Sequence, residues 1–186
     1  MRTFIAIELD PPTRRPIVQL LRTLPRADGL SWCSEPQLHI TLKFLGEISD
    51  PQLGRVLRIV NQACAAVQPF TILVQGLGVF PAPANPRVLW CGVQDADNGC
   101  RRWVEAADPH FESINVKPET RAFTPHITLG RSKSSAAAAV LRDVLQPATP
   151  PTCPPMRVTN VVVFESVLGP GGARYKVVAR TPLAAG

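Results

Sequence analysis

Two stretches carry side chains that could do chemistry together: Leu38-His39-Ile40-Thr41-Leu42-Lys43-Phe44 and Pro125-His126-Ile127-Thr128-Leu129. The chain has three histidines in 186 residues, and two of them open the same tetrapeptide, His-Ile-Thr-Leu. One copy falls in each half of the chain, as an internal repeat of a functional unit would. Ile, Thr, Leu and Phe favour a pleated, half-buried backbone, so each copy reads as a β-strand. Alternation then puts His39, Thr41 and Lys43 on one face and Ile40, Leu42 and Phe44 on the other, core-facing side. In the second copy His126 and Thr128 point together, and Ile127 and Leu129 point inward. An imidazole, a hydroxyl and an ammonium are costly to bury without partners, so the polar faces belong on a groove. There each threonine can donate to a phosphate oxygen, and one imidazole can take a proton while the other gives one. With ordinary pKa values of about 6.5, both rings suit that work near neutral pH. On this alternation Lys43 shares the groove face and could steer phosphate, whereas Arg131 falls on the opposite parity from His126.

The elements that must position these groups follow from the flanking sequence. Phe4 to Leu9 reads as a strand. Asp10, followed by two prolines, caps a helix that buries Ile17, Leu20, Leu21 and Leu24. Asp50-Pro51 starts a second helix with Val56, Leu57, Val60 and Cys64 on one stripe. Strands follow over 70–80, with Gly76 as a break, and over 87–93. Asp97 can cap a helix that buries Trp103 and that Pro109 must interrupt. Ser135 opens a helix to Leu145, and the proline-rich run from Gln146 to Pro155 is a surface connection. Val158 to Val167 is a strand that Gly169-Pro170-Gly171-Gly172 turns back into Tyr175 to Thr181. The order β-α-β-β-α-β-β-α-β-α-β-β predicts an α+β fold of two similar lobes. Each lobe is an antiparallel sheet with helices on its outer face, and the cleft between them carries the two HxTx motifs. Residues 1–186 read as one domain. Trp32, Trp90 and Trp103 read as core residues, His110 as a surface residue, and Phe80 as the aromatic best placed to touch a base.

Composition narrows the class. A net charge of +6 and a pI near 9.5 suit an anionic partner without identifying one. There is no run of 18 apolar residues, so no transmembrane helix is expected, and the N-terminus lacks a signal-peptide pattern. A cytoplasmic location is the expectation. Five cysteines without a CxxC pair argue against a disulfide framework or a zinc site, and no other metal-ligand set is visible. No metal and no cofactor are expected.

The paired motifs resemble those of the 2H phosphoesterases. Met-Arg-Thr-Phe-Ile-Ala-Ile-Glu, Leu-His-Ile-Thr-Leu-Lys-Phe-Leu-Gly-Glu, Arg-Val-Leu-Trp, Pro-His-Ile-Thr-Leu-Gly-Arg and Gly-Gly-Ala-Arg-Tyr stand in the order of that superfamily's RNA 2',3'-cyclic phosphodiesterase (2'-5' RNA ligase-like) branch. The resemblance implies hydrolysis of an RNA terminal 2',3'-cyclic phosphate to a 2'-phosphate without metal, with 2'-5' joining of RNA ends such as tRNA halves as a related activity. It implies His39 as proton donor, His126 as proton acceptor, and Thr41 and Thr128 as phosphate-contacting residues. Lys43 and Arg131 join them as further substrate-binding candidates. A monomer acting on RNA, away from membranes, completes the expectation. Two other readings stay open: a 2H enzyme of small cyclic nucleotides, and a non-catalytic basic RNA-binding module.

Overall fold

The computed structural model describes residues 1–120, 122–145, 148–170 and 172–185. The strands are β1 (Arg2–Glu8), β2 (Leu30–Trp32), β3 (His39–Glu47), β4 (Phe70–Phe80), β5 (Val88–Gln94), β6 (His126–Ser132), β7 (Met156–Val158), β8 (Asn160–Gly169) and β9 (Gly172–Pro182). The helices are α1 (Pro11–Thr23), α2 (Asp50–Ala65), α3 (Gly99–Ala107) and α4 (Ser135–Leu145). The element order matches the expected one, with the short β7 added. Gln146 and Pro147 of the surface connection, and Gly171 of the last turn, lie outside the described residues.

The strands pair in the order β7-β4-β5-β6-β3-β1-β8-β9, with β2 along the same edge of β6 as β3, beside Gly130, Arg131 and Ser132. Every pairing is antiparallel. The β6–β3 step divides this path into two similar sheets, each with a motif strand at its inner edge. These lobes are not successive halves of the chain. The N-terminal half sends β4 and β5 to the sheet of β6, and the C-terminal half sends β8 and β9 to the sheet of β1 and β3. Each motif strand therefore has its own lobe on one side and the other motif strand on the other.

One apolar core lies on the helix side of this surface. It gathers Ile17 of α1, Val56 and Val60 of α2, Trp103 of α3 and Leu141 of α4 around Ile40, Ile127 and Leu129. A smaller cluster of Phe4, Ala6, Val162 and Phe164, with Tyr175 and Val177 against it, sits on the opposite face of β1 and β8. That is the face to which His39 points.

The helix starts are set by short local hydrogen bonds, and three differ by a residue or two from the sequence reading. Asp10 does cap α1, its Oδ1 accepting from Thr13 N–H at 2.9 Å. For α2 the cap is Ser49, whose N–H and hydroxyl both donate to Gln52 Oε1 at 2.8 and 2.9 Å. Asp50 instead places its charge in the first turn, where the helix dipole favours it. For α3 the carboxylate of Asp95, not Asp97, takes the Gly99 and Cys100 N–H groups at 2.8 and 2.9 Å. For α4 the Ser134 hydroxyl, not that of Ser135, accepts from Ala137 N–H. Among the described residues no helix is long and apolar enough to cross a membrane.

Candidate active site

Among the described residues β3 and β6 meet through a single registered pair, Ile40 opposite Ile127. In an antiparallel pair this register sets His39 across from Thr128 and Thr41 across from His126. Both isoleucines are fully buried, so the two histidines and two threonines face the other side together. Direct neighbours in such a pair stand about 5 Å apart and diagonal ones about 7–8 Å, which makes the histidine pair the diagonal of a small quadrilateral. The rings are close enough for the charge on His126 to act on His39.

Both rings are oriented by the same device. His39 Nδ1 lies 2.7 Å from the Gln37 carbonyl, and His126 Nδ1 lies 2.7 Å from the Thr124 carbonyl. A carbonyl can only accept, so each Nδ1 carries the proton and each Nε2 is left for the groove. His39 Nε2 stands 2.9 Å from Thr41 Oγ1, so in the neutral ring it accepts from that hydroxyl. Aromatic walls hold both rings. Phe4 and Tyr175 lie 4.9 and 5.3 Å from His39 between ring centres, Tyr175 edge-on. Phe80 and Trp90 lie 5.0 and 6.1 Å from His126, Phe80 edge-on. Phe80 thus stands beside the second histidine. Trp90 is half-buried and helps form this wall, while Trp103 is core and His110 is exposed as expected.

The walls have an electrostatic consequence that the sequence reading missed. Burial pushes the His39 pKa down to about 4, with the charges of His126 and Arg131 adding to the effect and the Gln37 hydrogen bond opposing it. Burial also lowers His126, again with Arg131 adding and the Thr124 hydrogen bond opposing. Each imidazolium is disfavoured by lost hydration and by neighbouring positive charge. The free protein at neutral pH therefore holds two neutral rings, unlike the unperturbed pair expected from the sequence.

Both motif strands also break alternation at the same place. The β1–β3 register skips Leu42 between Thr41 and Lys43, and the β5–β6 register skips Leu129 between Thr128 and Gly130. Such bulges put two successive residues on one face and reverse the parity beyond. Lys43 accordingly turns inward rather than onto the groove face. It is 8% exposed, pairs with Asp108 and donates to Lys117 O at 3.0 Å. Phe44, expected in the core, is 63% exposed and lies 6.0 Å from Phe4 between ring centres. On β6 the same reversal brings Arg131 to the exposed side with His126 and Thr128, close enough to influence both histidines. The parity argument against it fails for that reason. Gly130 occupies the position that corresponds to Lys43. A Cβ there would come within 2.3 Å of the Trp32 ring, so one bulge is held by an ion pair and the other by an indole lying on a glycine. A glycine inside a strand is a known bulge signal, and Gly130 was the one clue in the sequence.

The model of the LigT-like phosphoesterase family matches residues 7–90 and again 92–175, so the repeat extends through nearly the whole chain. The chain belongs to this family. A relative from Methanothermobacter thermautotrophicus, named RNA 2',3'-cyclic phosphodiesterase, is 32% identical over 176 residues, covering 94% of this chain and 95% of its own. A Thermotoga maritima relative of the same name is 30% identical, covering 95% of this chain and 92% of its own. The crystal structure of a Thermus thermophilus protein superposes with a TM-score of 0.82 at 26% identity, covering 98% of both chains.

This geometry sets how both rings titrate and how firmly the first bulge is held. In the free protein, NMR titration should give His39 a midpoint near pH 4 and His126 one below the ordinary 6.5. Saturating inorganic phosphate should raise both, because an anion favours the charged ring. A free-state midpoint for His39 above 6.5 would contradict the burial argument. The linked effect on stability has a fixed sign: with folded pKa values depressed, these rings contribute fully above about pH 6.5, and the contribution is lost as pH falls towards 4. Lys43→Ala leaves Asp108 without its cation at a site where both partners are nearly buried. Urea unfolding should register a loss of about 3 kcal/mol, and a variant as stable as the parent would place Lys43 in solvent.

Proposed function

We propose that this protein hydrolyses the 2',3'-cyclic phosphate at an RNA end to a 2'-phosphomonoester, with His39 as acid, His126 as base and no metal. The observation that carries this reading is the antiparallel quadrilateral of His39, Thr41, His126 and Thr128, with both Nδ1 atoms pinned and both Nε2 atoms turned to one groove. The names of the relatives support the substrate.

Opening a cyclic phosphate is an in-line displacement with a base on one side of phosphorus and an acid on the other. Neutral His126 has its Nδ1–H on the Thr124 carbonyl, so its Nε2 lone pair takes a proton from water. The water oxygen forms the new P–O bond as the P–O3' bond breaks. The Nε2–H of protonated His39 passes to O3', leaving a 2'-phosphate and a 3'-hydroxyl, and solvent returns the two rings to their starting states. The Thr41 and Thr128 hydroxyls donate to the non-bridging oxygens, and Arg131 offsets their charge. Phe44, exposed beside the first motif, offers a face for the terminal base. Lys43 plays no direct part, because its ammonium is inside with Asp108.

With a free-state pKa of about 4 for His39, only about one ring in a thousand is protonated at pH 7. The acid is therefore completed by the substrate. A phosphate between the rings attracts a proton, and mutual repulsion of the imidazoliums disfavours a second one, leaving one acid and one base. Among the described residues no three of His, Cys, Asp and Glu cluster as metal ligands do, and the two histidines suffice for the proton transfers. A 5'-hydroxyl in place of water would yield a 2'-5' linkage by the same step, with tRNA halves as suitable RNA. The reading takes residues 1–186 as a single domain of two pseudo-symmetric lobes, acting as a monomer in the cytoplasm.

His39→Ala and His126→Ala should each lower turnover of a cyclic-phosphate oligonucleotide by about 10²–10⁴-fold, and the double variant should be little worse than either. Near-parental turnover in either single variant sinks the assignment. Activity should persist in EDTA with a 2'-phosphate product. Chelator loss restored by a divalent ion would bring in a metal, and a 3'-phosphate product would mean that O2' is the oxygen that leaves.

A further inference from the structure

Two Ser-acid-Pro-Gln sequences, Ser34-Glu35-Pro36-Gln37 and Ser49-Asp50-Pro51-Gln52, fold into the same device. In each, the serine N–H and hydroxyl both donate to the glutamine Oε1, at 2.8 and 3.0 Å for Gln37 and at 2.8 and 2.9 Å for Gln52. In each, the glutamine Nε2 then reaches a carbonyl far along the chain. Gln52 donates to Ile114 O at 2.9 Å, and Gln37 donates to Ala173 O at 2.7 Å. What differs is the glutamine's own carbonyl. That of Gln52 lies within α2, where helical bonding takes it. That of Gln37 ends a single 3₁₀ turn, Glu35–Gln37, and such a terminal carbonyl has no partner inside the turn. His39 Nδ1 fills that place at 2.7 Å.

The Gln37 N–H also donates to Ser34 O at 2.9 Å, so both backbone groups and both side-chain groups of this residue are bonded. The bond to Ala173 brings in the β8–β9 hairpin. Tyr175 stands two residues further along β9, with its ring edge-on to His39 at 5.3 Å. One side chain thus ties the carbonyl that orients the ring to the strand that walls it. We propose that Gln37 is a positioning residue, whose side chain holds the carbonyl on His39 Nδ1 and so aims Nε2 at the leaving O3'. This deepens the function proposed above and rests on it. The acid's proton leaves from Nε2, and a ring free to turn about its Cβ would carry that proton out of line.

Gln37→Met keeps the length of the side chain and removes its hydrogen bonds, and Gln52→Met does the same at α2 as the control. With a 2',3'-cyclic-phosphate oligonucleotide, Gln37→Met should lower kcat about ten- to a hundred-fold while KM stays within about two-fold. Gln52→Met should keep the parental kcat, although both variants shift the urea midpoint similarly. Gln37→Glu retains the acceptor for Ser34 and loses the donor to Ala173. Its kcat should fall between Gln37→Met and the parent, and it carries the test where Gln37→Met does not fold. NMR at pH 7 reads the imidazole nitrogens. The parent and Gln52→Met should show His39 protonated at Nδ1 alone, and Gln37→Met should add the Nε2–H form. His126 should stay unchanged throughout, because its Nδ1–H is held by Thr124 O. Equal kcat losses in the two methionine variants would make both devices structural only and overturn the assignment. Parental kcat or unaltered His39 nitrogens in Gln37→Met would do the same. A parent that turns over no cyclic phosphate sinks the functional reading, whereas the nitrogen signals still decide whether Gln37 orients the ring.

Discussion

The site depends on the pairing of Ile40 with Ile127. Each isoleucine anchors its strand in the common core, and the antiparallel register between them decides which residues of one motif face which residues of the other. A one-residue slip would turn every polar side chain of one motif into the apolar core, so the hydrophobic energy of two buried isoleucines protects the geometry of four polar groups. The exchange of strands between chain halves makes this pairing available. With β4–β5 beside β6 and β8–β9 beyond β1, each motif strand keeps one edge for the other.

The rings that this pairing brings together are held in a way that resists protonation. Phenyl, phenol and indole walls fix their orientation, and the same walls exclude the water that would stabilise an imidazolium. Arg131 adds positive charge beside both rings. A site built this way is positively biased yet short of a proton, and in the mechanism proposed above a phosphate supplies the missing half of the acid. Binding and the creation of the acid are then one event. Of the two rings, His39 carries the stronger depression, so the proposed division of labour requires the anion to favour His39 over the more accessible His126.

The repeats match in backbone and differ in what their bulges present. At corresponding positions the first offers Phe44 outward over an inward Lys43, and the second offers Arg131 outward over Gly130. Because the bulge is shared, the exchange of an aromatic for a cation costs no change in the main chain. A pseudo-symmetric frame thereby acquires an asymmetric groove, which suits a nucleotide end with a base on one side and phosphate charge on the other. The locks differ as well: one is a buried ion pair to the segment before the second motif, the other an indole over a glycine.

The sequence alone determined the strands that carry the motifs, the α+β order and the pairing of His with Thr on one face, because these depend on local period and on residue type. It also put the two histidines and two threonines on the face that the fold brings together, since Ile40 and Ile127 mark the buried face by simple alternation. It misjudged Lys43, Phe44 and Arg131, because a bulge adds one residue and reverses alternation, and pairing with a neighbouring strand fixes where that happens. Helix caps shifted by a residue or two for a similar reason: several nearby side chains could reach the same N–H groups, and the packed geometry selects among them. Only the tertiary structure decided which strands form each lobe, since β8 reaches β1 across almost the whole chain. Only it set the proton affinities of the histidines, because Phe4, Tyr175, Phe80 and Trp90 are distant in sequence and meet the two rings through the fold.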